Sequence, residues 1–237
     1  MNYFLSQTNP EWHELLIDCL DKMNPNYLDS LVRTEQNWLP EKSMVFKAFS
    51  QPLSNTTHIL LGESPYPRVE SANGLAFWDN AVVDLWSQSG LDKAVNRATS
   101  LRNLIKMLLH ARGDLADDFS QAAIAGLNKE NYIKTLPELF DKLIKSGFLL
   151  LNASLIYEKN KVNYHVKQWQ PFMDHLFSRL LMIKPDIKLI LFGKIAGKVK
   201  LIDQFSGLVA EHPYNISFIS NERVLEFFKP FDLLSKR

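Results

Sequence analysis

The sequence predicts an α/β fold in one domain, built on a mostly parallel sheet. Two observations predict it: short apolar runs of strand length, and stretches of helical apolar spacing that alternate with them. The runs are His58–Leu61, Phe148–Leu151, Ile187–Phe192 and, less clearly, Ile216–Ile219. Runs that are apolar on both faces suit strands covered by helices on each side. The helical stretches lie between them. Leu101, Leu104, Ile105 and Leu108 recur at helical spacing after Ser100. Thr135-Leu136-Pro137-Glu138 reads as a capping box opening a helix that ends near Gly147. Phe172, Leu176, Leu180 and Leu181 line a further helix, and Val199 and Ile202 mark one more before the last strand. With no repeat, low-complexity segment or Gly/Ser-rich linker, residues 1–237 are expected to form a single domain.

Composition narrows the function classes. The formal net charge is +1, so no global field advertises a polyanionic partner, although a local basic face remains open. One cysteine, Cys19, excludes an internal disulfide framework and any cysteine-built iron–sulfur or zinc site. Its apolar helical setting predicts a buried, inert thiol. The opening MNYFLSQTNPEW lacks the layout of a signal peptide, and no apolar run approaches membrane-spanning length. A cytoplasmic protein without membrane contact is the expectation.

The residues just past each strand carry the functional reading. HILLG leads into Glu63-Ser64-Pro65-Tyr66, FLLL into Asn152, and IKLILF into Gly193-Lys194. The weakly apolar GLVA, Gly207 to Ala210, leads into Glu211-His212-Pro213. Ligands of open parallel sheets bind outside the carboxyl ends of the strands, so these residues are expected to converge on one cleft. Each has a plainer reading. Asn152 suits a nucleobase edge or a loop cap. His212 can donate a hydrogen bond, act in acid–base chemistry, or decorate a surface. Tyr66 and Phe77 can wall an aromatic slot or sit in the core. Glu63 and Ser64 can activate water or stabilise a turn. No Gly-x-Ser-x-Gly elbow, metal-ligand spacing or glycine-rich phosphate loop occurs. Lys194, Lys198 and Lys200 fall on a predicted helix start, where they offer phosphate contacts or a solvated face.

Six segments, taken in order, resemble the uracil-DNA glycosylases. GESPYPRVESANGLAF is similar to the family's Gly-Gln-Asp-Pro-Tyr-His…Gly-Leu-x-Phe signature, and LLLNASL to its Leu-Leu-Leu-Asn-x-x-Leu segment. LILFGKIAGK resembles its apolar strand followed by glycine and an Ala-x-Lys helix start. EHPYNIS stands where the family has His-Pro-Ser-Pro-Leu-Ser, and SLRNLIKMLL and VFKAFSQPL match flanking segments. The resemblance implies a three-layer α/β/α domain around a four-stranded parallel sheet. It implies a DNA N-glycosylase of base excision repair that turns uracil out of the stack and hydrolyses its glycosidic bond. On matched positions, Phe77 would stack on the base, Asn152 would read its edge, and Tyr66 would crowd C5. His212 would hydrogen-bond the uracil oxygen as charge develops there. Ile216 would fill the vacated stack, while Pro65, Ser100, Lys194 and Ser217 would lie along the phosphates. Single- or double-stranded uracil-containing DNA would be the partner of a monomer, with no cofactor or metal.

The pattern breaks at the water-handling position. Ser64 stands where the family has aspartate, whose carboxylate positions the attacking water. General-base contributions are roughly 10²–10⁴-fold, so the exchange implies a slow or rewired enzyme. Glu63 is the obvious replacement, since a related branch carries Gly-Glu-Ala-Pro-Gly at this corner; Glu70 is a weaker one. Pro67, Ser71 and Asn73 replace histidine, glutamine and histidine, and Tyr214-Asn215 replaces Ser-Pro. Those changes also fit a catalytically silent relative that binds DNA, uracil or a protein partner.

Overall fold

The computed structural model describes residues 5–33 and 36–236, with Ala196 and Lys198 by backbone alone. In chain order the helices are α1 (His13–Leu20), α2 (Pro25–Arg33), α3 (Lys93–Arg97), α4 (Thr99–Arg112), α5 (Gln121–Ala125), α6 (Leu136–Lys145), α7 (Val162–Ile183) and α8 (Glu222–Phe228). The strands are β1 (His58–Gly62), β2 (Trp86–Ser87), β3 (Gly90–Leu91), β4 (Phe148–Asn152), β5 (Lys188–Phe192) and β6 (Ser206–Ala210). A central four-stranded sheet has the order β4-β1-β5-β6, and β2 pairs with β3 in a short antiparallel ribbon. β1 pairs in parallel with both β4 and β5, in registers that set Gly62 beside Asn152 and Leu61 beside Leu191. This is the α/β architecture expected from the alternation of apolar runs. Because β1 connects outward to one side and β5 lies on the other, their carboxyl ends flank a topological switch point.

β1 and β4 are buried along their whole length, and β5 is buried after Lys188. That is why these three read as continuous apolar runs. β6 is different. Only Leu208 is buried in it, so it needs no continuous apolar run. The fourth strand is therefore Ser206–Ala210 and not Ile216–Ile219, which forms a 3₁₀ turn over Ile216–Ser220. There Phe218 and Ile219 are buried while Ile216 projects, so the run's apolar character is divided between core and surface. Nor do Val199 and Ile202 mark a helix, since Gly193–Lys198 and Ile202–Gln204 are separate 3₁₀ turns. The side chain of Lys198 lies outside the described residues.

Two compact units can be distinguished by their internal contacts. The first comprises residues 1–80, 147–191 and 195–207, and the second residues 81–146, 192–194 and 208–237. In the first, α1 packs on α7, and Trp12, Phe46, Phe49, Trp169 and Phe172 form a cluster with ring centroids 5.0 to 6.5 Å apart. Edge-to-face rings dominate it, the arrangement the aromatic quadrupole favours. Cys19 is buried there, and burial pushes its thiol up to about 12, which leaves it inert. In the second unit, α4 is the central helix and packs against both the Ile216–Ser220 turn and α8. The capping box of α6 is present, with Thr135 Oγ1 accepting from the Glu138 N–H and Glu138 accepting from the Thr135 N–H. No helix among the described residues is long and apolar enough to cross a membrane.

Candidate functional site

In the first unit the ends of β1 and β4 build one group of side chains. A Cβ at Gly62 would lie 2.6 Å from Asn152 Oδ1 and 3.0 Å from Ala76 Cβ. Glycine is required here so that the Asn152 amide can lie across the strand end. The ladder continues past both strands, with Ala153 N–H donating to Gly62 O at 2.8 Å and Ser154 N–H to Glu63 O at 3.0 Å. Asn152 is 2% exposed, yet its side-chain amide makes no hydrogen bond to any described residue. Its donors and acceptor, without a partner among the described residues, are suited to a ligand.

Tyr66 and Phe77 are joined to each other: the Tyr66 hydroxyl donates to the Phe77 carbonyl at 3.3 Å. Phe77 holds φ at 64°, a left-handed conformation that an aromatic residue rarely adopts. Strain of this kind concentrates at ligand clamps. Burial first, and then the neighbouring Asp79 carboxylate, pushes the Tyr66 phenol up to about 12, so it is neutral near pH 7. Arg68 donates to Asp79 at 2.9 Å, and Asn80 N–H donates to Ser71 O at 3.1 Å. These bonds close the loop that carries both aromatics. Within it, Ser71 Oγ and Asn73 Nδ2 are buried without a hydrogen-bond partner among the described residues. On the same corner Pro65 is buried, Ser64 is half-buried and Glu63 is exposed.

The second unit holds the remaining sequence-predicted residues. After β5 the chain turns at Gly193 with φ 72°, where a Cβ would come within 2.9 Å of His212 Cβ. His212 is half-buried just after β6, and its Nδ1 accepts a hydrogen bond from Tyr214 N–H at 3.1 Å. That bond settles the tautomer. A neutral ring whose Nδ1 accepts must carry its proton on Nε2. The His212 carbonyl also accepts from Asn215 N–H at 2.9 Å, completing a tight turn.

This loop is held from α4. Asn103, 1% exposed, donates from Nδ2 to Pro213 O at 2.7 Å, with the carbonyls of Asn215 and Tyr214 at 3.3 and 3.5 Å. A second clamp is Glu211, which accepts from Ser217 Oγ at 2.5 Å and from Asn221 Nδ2 at 3.3 Å. Ser217 therefore gives its one hydroxyl proton to Glu211 in this conformation, and it reaches a phosphate as a donor only when Glu211 releases it. Ile216 is 70% exposed and Lys194 is exposed. Ser100 is half-buried in the first turn of α4, a helix start that no side chain caps. Sequence reading did not assign roles to Asn103, Glu211 or the Arg68–Asp79 pair. The available signal was an asparagine on the apolar face of a helix, an arrangement that calls for a buried partner.

Residues 50–232 match the family model described as the uracil DNA glycosylase superfamily. A uracil-DNA glycosylase of Aliivibrio salmonicida is 28% identical over 220 residues, covering 88% of this chain and 84% of that protein. One of Sulfurimonas denitrificans is 29% identical over 226 residues, covering 93% and 87%. The crystal structure of wild-type UNG from Nitratifractor salsuginis is 39% identical with a TM-score of 0.92, covering 98% of this chain and 95% of that one. The mimivirus uracil-DNA glycosylase, at 18% identity and a TM-score of 0.58 over 90% and 71% of the two chains, shares the fold.

Proposed function

The chain belongs to the uracil-DNA glycosylase superfamily, and from that premise we propose that it turns uracil out of DNA and hydrolyses the N-glycosidic bond. The observation that carries this reading is Asn152, a buried residue at the carboxyl end of β4 whose amide has no hydrogen-bond partner among the described residues. Uracil presents an adjacent N–H donor and carbonyl acceptor, the complement of an asparagine side chain. Phe77 supplies a face for stacking, and Tyr66 occupies the space that a 5-methyl group would need.

Hydrolysis breaks the C1′–N1 bond, and the bonding pair leaves with the base. Negative charge then spreads onto the uracil oxygens, where the Nε2–H of His212 donates. A donor already oriented by the Tyr214 N–H needs no reorganisation as that charge appears, which lowers the barrier. Water completes the reaction by attacking C1′ and losing a proton. Glu63, or a water held by Ser64, takes the place of the family's aspartate, and the enzyme is accordingly slow. Ile216 fills the gap left by the extruded base. Pro65, Ser100, Lys194 and Ser217 face the phosphates, with the uncapped start of α4 adding its backbone N–H groups.

A single catalytic domain over residues 1–237, acting as a cytoplasmic monomer on single- or double-stranded DNA, fits this role. In support, the family match runs through both compact units. The test is release of free uracil from single- and double-stranded oligonucleotides by purified protein. No release at high enzyme concentration from folded protein, with uracil-DNA binding intact, would leave a silent binding relative instead.

A further inference from the structure

Two large side chains protrude from the loop after His212: Tyr214 is 68% exposed and Ile216 is 70% exposed. Scattered exposed apolar residues are ordinary on a protein surface. This pair is distinguished by its backbone. Asn103 holds the carbonyl of Pro213, His212 accepts from the N–H of Tyr214, Asn215 closes the turn, and Glu211 holds Ser217. His212, Pro213, Tyr214, Asn215 and Ser217 are each tied by a hydrogen bond, and Ile216 opens a 3₁₀ turn, so the two side chains are presented on a rigid knuckle. Ile216 has its role in the proposed reaction, and Tyr214 has none.

We propose that Tyr214 is a second stacking residue, whose ring lies on the nucleobase next to the extruded uracil. This rests on the glycosylase reading. Extrusion of one base leaves two base faces bare, one on each flanking nucleotide. A single aliphatic wedge covers one; a planar aromatic ring two residues away suits the other. Tyr214 is also bonded through its own N–H to the imidazole that meets the uracil, so a strand engaged by His212 passes beside it. Base–aromatic stacking is also tolerant of sequence, and it adds grip that does not depend on the formal net charge of +1.

The test compares wild type with Tyr214→Phe, Tyr214→Ala and Tyr214→Ser. Substrates are single- and double-stranded oligonucleotides with one uracil and a 2-aminopurine on either side of it. Removing one base–aromatic stack weakens binding about 5- to 160-fold. Tyr214→Ala and Tyr214→Ser are expected to raise KM by about 10-fold with the loss falling on KM and not kcat. They should also abolish the stacking-induced quench of the flanking 2-aminopurine, while Tyr214→Phe restores both. Melting temperatures should match wild type, since the ring is exposed. Equal KM and equal quenching in Tyr214→Ala would overturn the proposal, as would a Tyr214→Phe variant that behaves like Tyr214→Ala. If wild type released no uracil, the glycosylase reading would fail, and the fluorescence comparison would still decide whether the ring stacks.

Discussion

Replacing Gly193 by alanine tests how closely the turn after β5 governs His212. The new Cβ would lie 2.9 Å from His212 Cβ, whereas carbons in ordinary contact sit about 3.5–4.0 Å apart. His212 must therefore give way by roughly 0.6–1 Å. A displacement of about 1 Å in a catalytic group can cost on the order of 10²-fold in rate. Alanine at φ 72° also carries a backbone cost of about 1–2 kcal/mol, or a fall of roughly 2–8 °C in melting temperature for a chain of this size. Gly113→Ala separates the two effects. Gly113 has φ 83° at the end of α4, but a Cβ there meets nothing within 4 Å. Both variants should lose similar stability in urea or thermal unfolding. Only Gly193→Ala should lose uracil-releasing activity, by about 10- to 100-fold in kcat. Wild-type kcat in Gly193→Ala, or an equal loss in Gly113→Ala, would refute the link between this turn and the imidazole.

Asn152→Ala removes an amide that has no hydrogen-bond partner among the described residues, so uracil release should drop by about 10²-fold or more while the melting temperature holds. A fall in stability matching the fall in activity would count against a ligand-reading role. Ser64→Asp restores a carboxylate at the water position and should raise kcat by roughly 10²–10⁴-fold, read in single-turnover uracil release. No gain would place water activation on another residue. His58 stacks on Phe148 with ring centroids 4.6 Å apart, and burial pushes its imidazole down to about 4. Its folded value lies below its unfolded one, so its stabilising contribution is complete above about pH 6.5 and is lost as pH falls toward 4. Urea unfolding should show wild type losing about 1 kcal/mol more than His58→Gln between pH 7 and pH 5, because the ring retains some contact with solvent.

Three strands were legible because β1, β4 and β5 are covered on both faces, and burial on both faces leaves an unbroken apolar run. The α6 capping box was legible because its two hydrogen bonds connect residues three apart. β6 was not, since a strand with one buried residue carries almost no hydrophobic signal. The 3₁₀ turns after β5 and at Ile216–Ser220 escaped for a related reason. Their apolar residues serve core and surface in turn, and short i→i+3 turns have no long period to detect.

At the site, residue types are local information and their hydrogen-bond partners are not. The sequence by itself determined that Asn152, Tyr66 and His212 end strands or lie just beyond them, that Phe77 belongs to the segment following β1, and that Ser64 stands where a carboxylate belongs. Only the tertiary structure decided that the proton of His212 sits on Nε2, because a backbone N–H two residues away turns back onto Nδ1. It also decided that Asn103 holds a carbonyl 110 residues distant, and that Glu211 accepts a hydrogen bond from the Ser217 hydroxyl. Hydrogen bonds act over about 3 Å in space, and chain distance says nothing about which groups meet there.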